Sequence, residues 1–206
     1  MIEVQNDGTL CVLTINRPDK ANSLTAEMLE ALCVGVEEAR SARAVILTGV
    51  GKVFSAGADL EAAKAGLALS PLWERLSGAI SRHPGLTIAA LNGTVAGGAM
   101  GMVLACDLRI AVPGTKVFYP VMKLGFLPQP SDPARLSALV GPSRAKMILM
   151  AGQKIATEEA LTWGLIDEVA EADALIDRAR ALTEDVCGAT AEHARAIKGM
   201  IAQRLP

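Results

Sequence analysis

Leu86–Val112 reads LTIAALNGTVAGGAMGMVLACDLRIAV: a short strand-like run, Thr87 to Leu91, breaks at Asn92-Gly93, and the chain restarts at Gly97-Gly98 as an apolar helix. A helix that begins this way leaves its first amides without intrahelical partners, and the aligned peptide dipoles make that end partially positive. Main chain alone then suffices to hold an anion or a polarised carbonyl. Glycine at 97 and 98 removes the Cβ that would keep the ligand away. Upstream, Val53–Leu60, VFSAGADL, supplies a second turn of small residues, Ser55-Ala56-Gly57-Ala58, after the apolar run Ala44-Val45-Ile46-Leu47. Two such turns, if they converge, form a two-donor oxyanion hole. Glycine pairs before apolar helices also serve close helix packing, so the residues alone leave both roles open.

Around these turns the chain alternates strands and helices. Ile2 to Asn6, the Asp7-Gly8 turn and Leu10 to Ile15 predict a hairpin. Thr25 through Arg40 carries Met28, Leu29, Leu32, Val36 and Ala39 at a period close to 3.6, which predicts a helix before the strand Ala44 to Thr48. Leu60 to Gly85 is expected to be a mobile segment leading into a helix around Pro71 to Ser81. A strand from Leu108 to Val112 follows the glycine-led helix, and helices start at Ser131 or Asp132, at Gly141-Pro142-Ser143 and at Thr157, with a helical tail to Gln203. This order argues for an α/β core in one domain.

With 206 residues the chain is long enough to bury a sizeable core. The net charge of −2 argues against nucleic acid or an anionic membrane as partner, and 3% aromatic residues leave no base-stacking platform. Cys11, Cys33, Cys106 and Cys187 have no metal-type spacing and read as buried free thiols in a reducing cytosol. No signal peptide or membrane-spanning run is read, and no metal is assigned. The order Gly93-Thr94-Val95-Ala96-Gly97-Gly98 departs from the G-x-G-x-x-G of dinucleotide sites and lies too late in the chain for one.

The segment F-S-A-G-A-D-L, followed by A-x-L-N-G-x-x-x-G-G, resembles the crotonase (enoyl-CoA hydratase/isomerase) superfamily. Asn16 to Leu24 (NRPDKANSL), Ala105 to Ala111 (ACDLRIA) and Trp163 to Val169 (WGLIDEV) fall in the same order as in that family, so the likeness covers nearly the whole chain. It implies a crotonase-like spiral of ββα units over residues 1–206, with a core to about 140 and a helical part from about 141 that is shorter than usual. It also implies an acyl-CoA thioester as substrate, with coenzyme A entering as part of that substrate and no separate cofactor. A cytoplasmic homo-oligomer, trimer or dimer of trimers, working in fatty-acid metabolism is the corresponding expectation. Family members usually continue past Lys198 with helices that cover the site, so the expectation here is either that the remaining helix packs differently or that the acyl site is more open and the grip on coenzyme A weaker.

Carried over by motif, the oxyanion donors are the amides of Ala56 and Gly98, Gly57-Ala58-Asp59-Leu60 lines the acyl channel, and Lys20, Ala21, Ser23 and Leu24 meet the adenine and phosphates. The chain departs from the family at the two hydratase glutamates, whose positions are Gly101 and Val121. Neither carries a proton, so isomerisation, thioester hydrolysis or decarboxylation is favoured over hydration. Asp132 is the candidate base, its other role being to cap the helix begun by Pro133, and Tyr119 is the candidate hydrogen-bond donor. The other reading is an acyl-CoA-binding protein without turnover, or an oligomer subunit.

Overall fold

The computed structural model describes residues 1–202, so the expected helical end at Gln203 lies outside the described residues. The elements in order are β1 (Ile2–Asn6), β2 (Leu10–Ile15), α1 (Ala26–Glu38), β3 (Ala44–Gly49), β4 (Val53–Ser55), α2 (Leu60–Lys64), α3 (Leu72–Ser81), β5 (Leu86–Leu91), β6 (Thr94–Ala96), α4 (Ala99–Ala105), β7 (Leu108–Ala111) and β8 (Lys116–Phe118). Then come α5 (Val121–Leu124), α6 (Asp132–Val140), α7 (Pro142–Leu149), β9 (Ile155–Ala156), α8 (Thr157–Trp163), β10 (Glu168–Val169), α9 (Leu175–Ala181), α10 (Glu184–Gly188) and α11 (Ala191–Ala202).

Two sheets organise the chain, in the orders β1-β2-β3-β5-β7-β10 and β4-β6-β8-β9. From β3 to β8 each winding gives one strand to the larger sheet and the next to the smaller: β3 then β4, β5 then β6, β7 then β8. The central strands pair in parallel and are covered on both faces, which explains their unbroken apolar runs. Their alternation sorts side chains into two layers. Leu13, Val45, Leu47, Ala89 and Leu91 face α1, α3 and α4, whereas Val12, Ala44, Ile46, Ile88 and Ala90 face the side closed by Leu175 and Ala179 of α9.

The hairpin forms in the expected antiparallel register, and Thr25 caps α1 by accepting the Met28 amide. Between Leu60 and Ser70 the structure has α2 and a 3₁₀ turn at Leu67–Leu69 in place of an irregular lead-in. The short strand β6 was not expected from the sequence. β9 and β10 both lie beyond residue 140 and add to the two sheets, so strand pairing extends into the part read as helical. Cys11, Cys33 and Cys106 are buried free thiols, while Cys187 is only partly buried.

Candidate active site

The site is assembled at the C-terminal ends of β4 and β6, which pair in parallel and so place the Ser55–Ala58 and Ala96–Gly98 turns side by side. In the first turn the Ala56 amide donates to Ala21 O at 3.0 Å, and is therefore spent on structure. The Ala56 amide, expected as an oxyanion donor, is thus not free for a ligand. Gly57, at φ 89°, breaks the alternation of amide directions; its carbonyl then accepts from Leu24 N while the Asp59 amide donates to Leu24 O. Ala58, between them, turns its own amide away from Leu24, and among the described residues that amide has no hydrogen-bond partner. Gly97, at φ 56°, donates to Phe118 O, and the Gly98 amide that follows likewise has no partner. The two turns touch: a Cβ on Gly57 would lie 3.2 Å from Gly98 N and 2.8 Å from Ala96 O.

Gly57→Ala is therefore expected to push the turns apart. The variant should fold with a lower Tm, since the turn strains at positive φ and the two free amides are driven apart. Thermal melting checks the effect.

Ala58 and Gly98 open on a cavity of about 320 Å³ with an apolar lining that includes Leu60, Ala63, Trp73, Leu124, Phe126 and Leu127. Trp73 was not singled out by sequence reading, although it is one of only two tryptophans and lies in helical phase with Leu76 and Ile80. Its ring stands 3.1 Å from where a Gly98 Cβ would be, and its Nε1–H donates to Leu67 O at 2.8 Å, which fixes the indole against the second turn.

Tyr119 and Val121 also line the cavity. The Tyr119 hydroxyl donates to Asp132 Oδ2 at 3.0 Å and accepts from the Gln129 amide at 3.3 Å. Gln129 in turn donates through Nε2 to Ala68 O at 3.1 Å, tying the loop before α6 to the opposite wall. Asp132 is 1% exposed, and its other oxygen, Oδ1, has no hydrogen-bond partner but lies 4.0 Å from Arg135 Nη1. Its side chain does not cap α6: it points inward. A Cβ on Gly101 would sit 3.0 Å from Asp132 Oδ1, so a carboxylate from α6 fills the space beside the position on α4 that lacks one. Burial pushes the Asp132 carboxyl up to about 6, against the opposing pull of the Tyr119 hydrogen bond and the Arg135 charge. Burial, reinforced by the Asp132 charge, raises the Tyr119 phenol far above its usual range, so it is a neutral hydroxyl.

Other expected ligand contacts are placed differently. The Asp59 carboxylate accepts from Glu61 N and Ala62 N as the cap of α2 and pairs with Arg17 at 2.9 Å; the Arg17 hydrogen bond above all holds it below the usual carboxylate range. Both its oxygens are taken up within the fold, and it does not line the cavity. Leu24 is fully buried in the core, Ser23 accepts from Arg17, and Ala21 spends its carbonyl on Ala56. Lys20 is exposed on a 3₁₀ turn, and none of these four lines the cavity. Of the expected channel residues, Ala58 and Leu60 line it and Gly57 shapes it. His83 is buried between Ala39 O and the Gly85 amide, where burial keeps it neutral. Among the described residues no group of His, Cys, Asp and Glu is placed to hold a metal ion, and no helix is long and apolar enough to cross a membrane.

The mixed α/β spiral, with its strands dealt alternately to two sheets, is the crotonase fold, shared with solved enoyl-CoA hydratases. Residues 5–205 match the family model described as enoyl-CoA hydratase/isomerase, and the chain belongs to that family. It is 34% identical over 196 residues to the short-chain-enoyl-CoA hydratase of Clostridium acetobutylicum, covering 89% of this chain and 74% of that protein. To the mevalonyl-coenzyme A hydratase SIDH of Beauveria bassiana it is 34% identical over 194 residues, 86% of this chain and 69% of the relative. The crystal structure of the enoyl-CoA hydratase from Bacillus anthracis superposes with a TM-score of 0.89 at 30% identity, covering 98% of this chain and 82% of that one.

Proposed function

We propose that this protein acts on an acyl-CoA thioester by holding the thioester oxygen on the Ala58 and Gly98 amides and moving a proton through Tyr119 and Asp132. The observation that carries the reading is the pair of amides without partners, side by side at the mouth of an apolar cavity. Charge that develops on a thioester oxygen as an enolate forms is what such preorganised donors stabilise. The relatives' names, hydratases of CoA esters, support the substrate class.

In this reading Tyr119 Oη takes a proton from the carbon next to the carbonyl while its own proton passes to Asp132 Oδ2. The C–H electron pair becomes the enolate, whose charge rests on the two amides. Return of the proton to the same carbon gives exchange, and return two carbons further along an unsaturated chain moves the double bond. Hydration by two glutamates is disfavoured because Gly101 and Val121 hold those positions, and the Asp132 carboxylate occupies the space beside Gly101. A trimer or dimer of trimers belongs to the same proposal and is checked by sedimentation.

The test is a panel of acyl- and enoyl-CoA esters incubated in D₂O and read by mass spectrometry. Deuterium at the α or γ carbon is expected. Binding of the esters without exchange, hydration or CoA release in any of them would replace the enzyme with a CoA-ester binder.

A further inference from the structure

Asp132 stands at the first position of α6, where an aspartate ordinarily turns its carboxylate back on the helix's own free amides. Here it does not, and the residue just before it is held from elsewhere. Glu74, on α3, accepts the Ser131 amide through Oε1 at 3.0 Å and the Ser131 hydroxyl through Oε2 at 2.6 Å. Ser131 in turn makes no side-chain cap of its own. A negative group at this end of α6 also meets the partial positive charge of the helix start.

We infer that Glu74 is a positioning residue for Asp132: by holding Ser131, where α6 begins, from α3 it keeps the Asp132 carboxylate turned inward onto the Tyr119 hydroxyl. The catalytic consequence rests on the proton-transfer reading above; the structural relation does not. Four elements face Asp132. Tyr119 comes from the segment after β8, Arg135 from α6 itself and Glu74 from α3, while α4 offers only Gly101, which does not titrate. Of these, the Glu74 charge works with burial to raise the Asp132 carboxyl, and Tyr119 and Arg135 work against it.

The relation is tested by carbon-13 NMR of protein labelled at aspartate Cγ, with the Asp132 signal assigned by its loss in Asp132→Asn. Glu74→Gln keeps an oxygen for the Ser131 amide and removes only the charge, so the Asp132 midpoint is expected to fall by about half a pH unit. Glu74→Ala removes the hold on Ser131 as well. Asp132 should then turn to its own helix amides, and its midpoint should drop towards the ordinary aspartate value of about 3.9. Should the alanine variant fail to fold, Glu74→Asp, which keeps the charge but is one methylene too short to hold Ser131, takes its place. An Asp132 midpoint in the folded variant no lower than in Glu74→Gln would overturn the inference.

Exchange of the α-hydrogens of butyryl-CoA in D₂O separates the two readings. Its acid limb should follow the NMR midpoint in each variant. If the midpoint moves but Asp132→Asn exchanges as fast as the unmodified protein, the Glu74 relation stands and the proton-transfer reading falls.

Discussion

Gly98→Pro is expected to turn over a CoA thioester about 10²–10³-fold more slowly than Gly98→Ala, the loss typical of one oxyanion donor. The backbone at Gly98, φ −58°, already suits a proline ring, and its amide serves no other group, so the substitution breaks no native hydrogen bond. Both variants place a Cβ against the Trp73 ring at 3.1 Å, and that shared crowding cancels in the comparison. What differs is one N–H and the proline Cδ that replaces it. A peptide amide does not titrate, so the ratio of the two rates should stay constant across the pH range in which both variants remain folded. Equal rates for the alanine and proline variants would remove the Gly98 amide from the chemistry.

The scaffold of this site was open to sequence reading because its signals are local. α1 announces itself by a period near 3.6 and a threonine cap, and the hairpin by Asp7-Gly8. The doubly covered strands show as unbroken apolar runs. The free amide of the first turn was not open in the same way. Ala56 and Ala58 are both alanines flanking Gly57, and which amide faces the cavity is set by the turn at Gly57 and by pairing with Ala21 and Leu24, residues far away in sequence. β6 is three residues long and follows directly on a glycine break, so its strand character comes from pairing with β4 and β8. Asp132 shows the same limit most clearly. An aspartate just before Pro133 has the local signature of a helix cap, and the groups it meets instead, the Tyr119 hydroxyl and the space beside Gly101, come from elements distant in sequence.

Asp132→Asn is expected to change activity and stability in opposite directions. The exchange rate should fall by about 10²–10⁴-fold, the usual contribution of one acid–base group, and the acid limb centred near pH 6 should vanish with the carboxyl that causes it. Stability follows from the sign of the shift. The carboxyl titrates at about 6 in the folded protein against a usual 3.8, so folding binds the proton more tightly and ionisation works against the folded state. That penalty is absent below pH 3.8, grows as pH rises through 6, and is complete above it. At about 1.4 kcal/mol per pH unit it amounts to roughly 3 kcal/mol. Asparagine carries no such penalty, and its oxygen still accepts from Tyr119. The stability of the variant relative to the unmodified protein should therefore improve by that order between pH 4 and pH 7.5, whatever fixed cost the amide carries at both. Urea melts at the two pH values measure the change. A difference that does not move with pH would mean that Asp132 is not the group that titrates near 6. A gain in stability with loss of turnover would mark Asp132 as a residue kept for its chemistry, since a buried ionisable group that weakens the fold is the expected signature of a functional site.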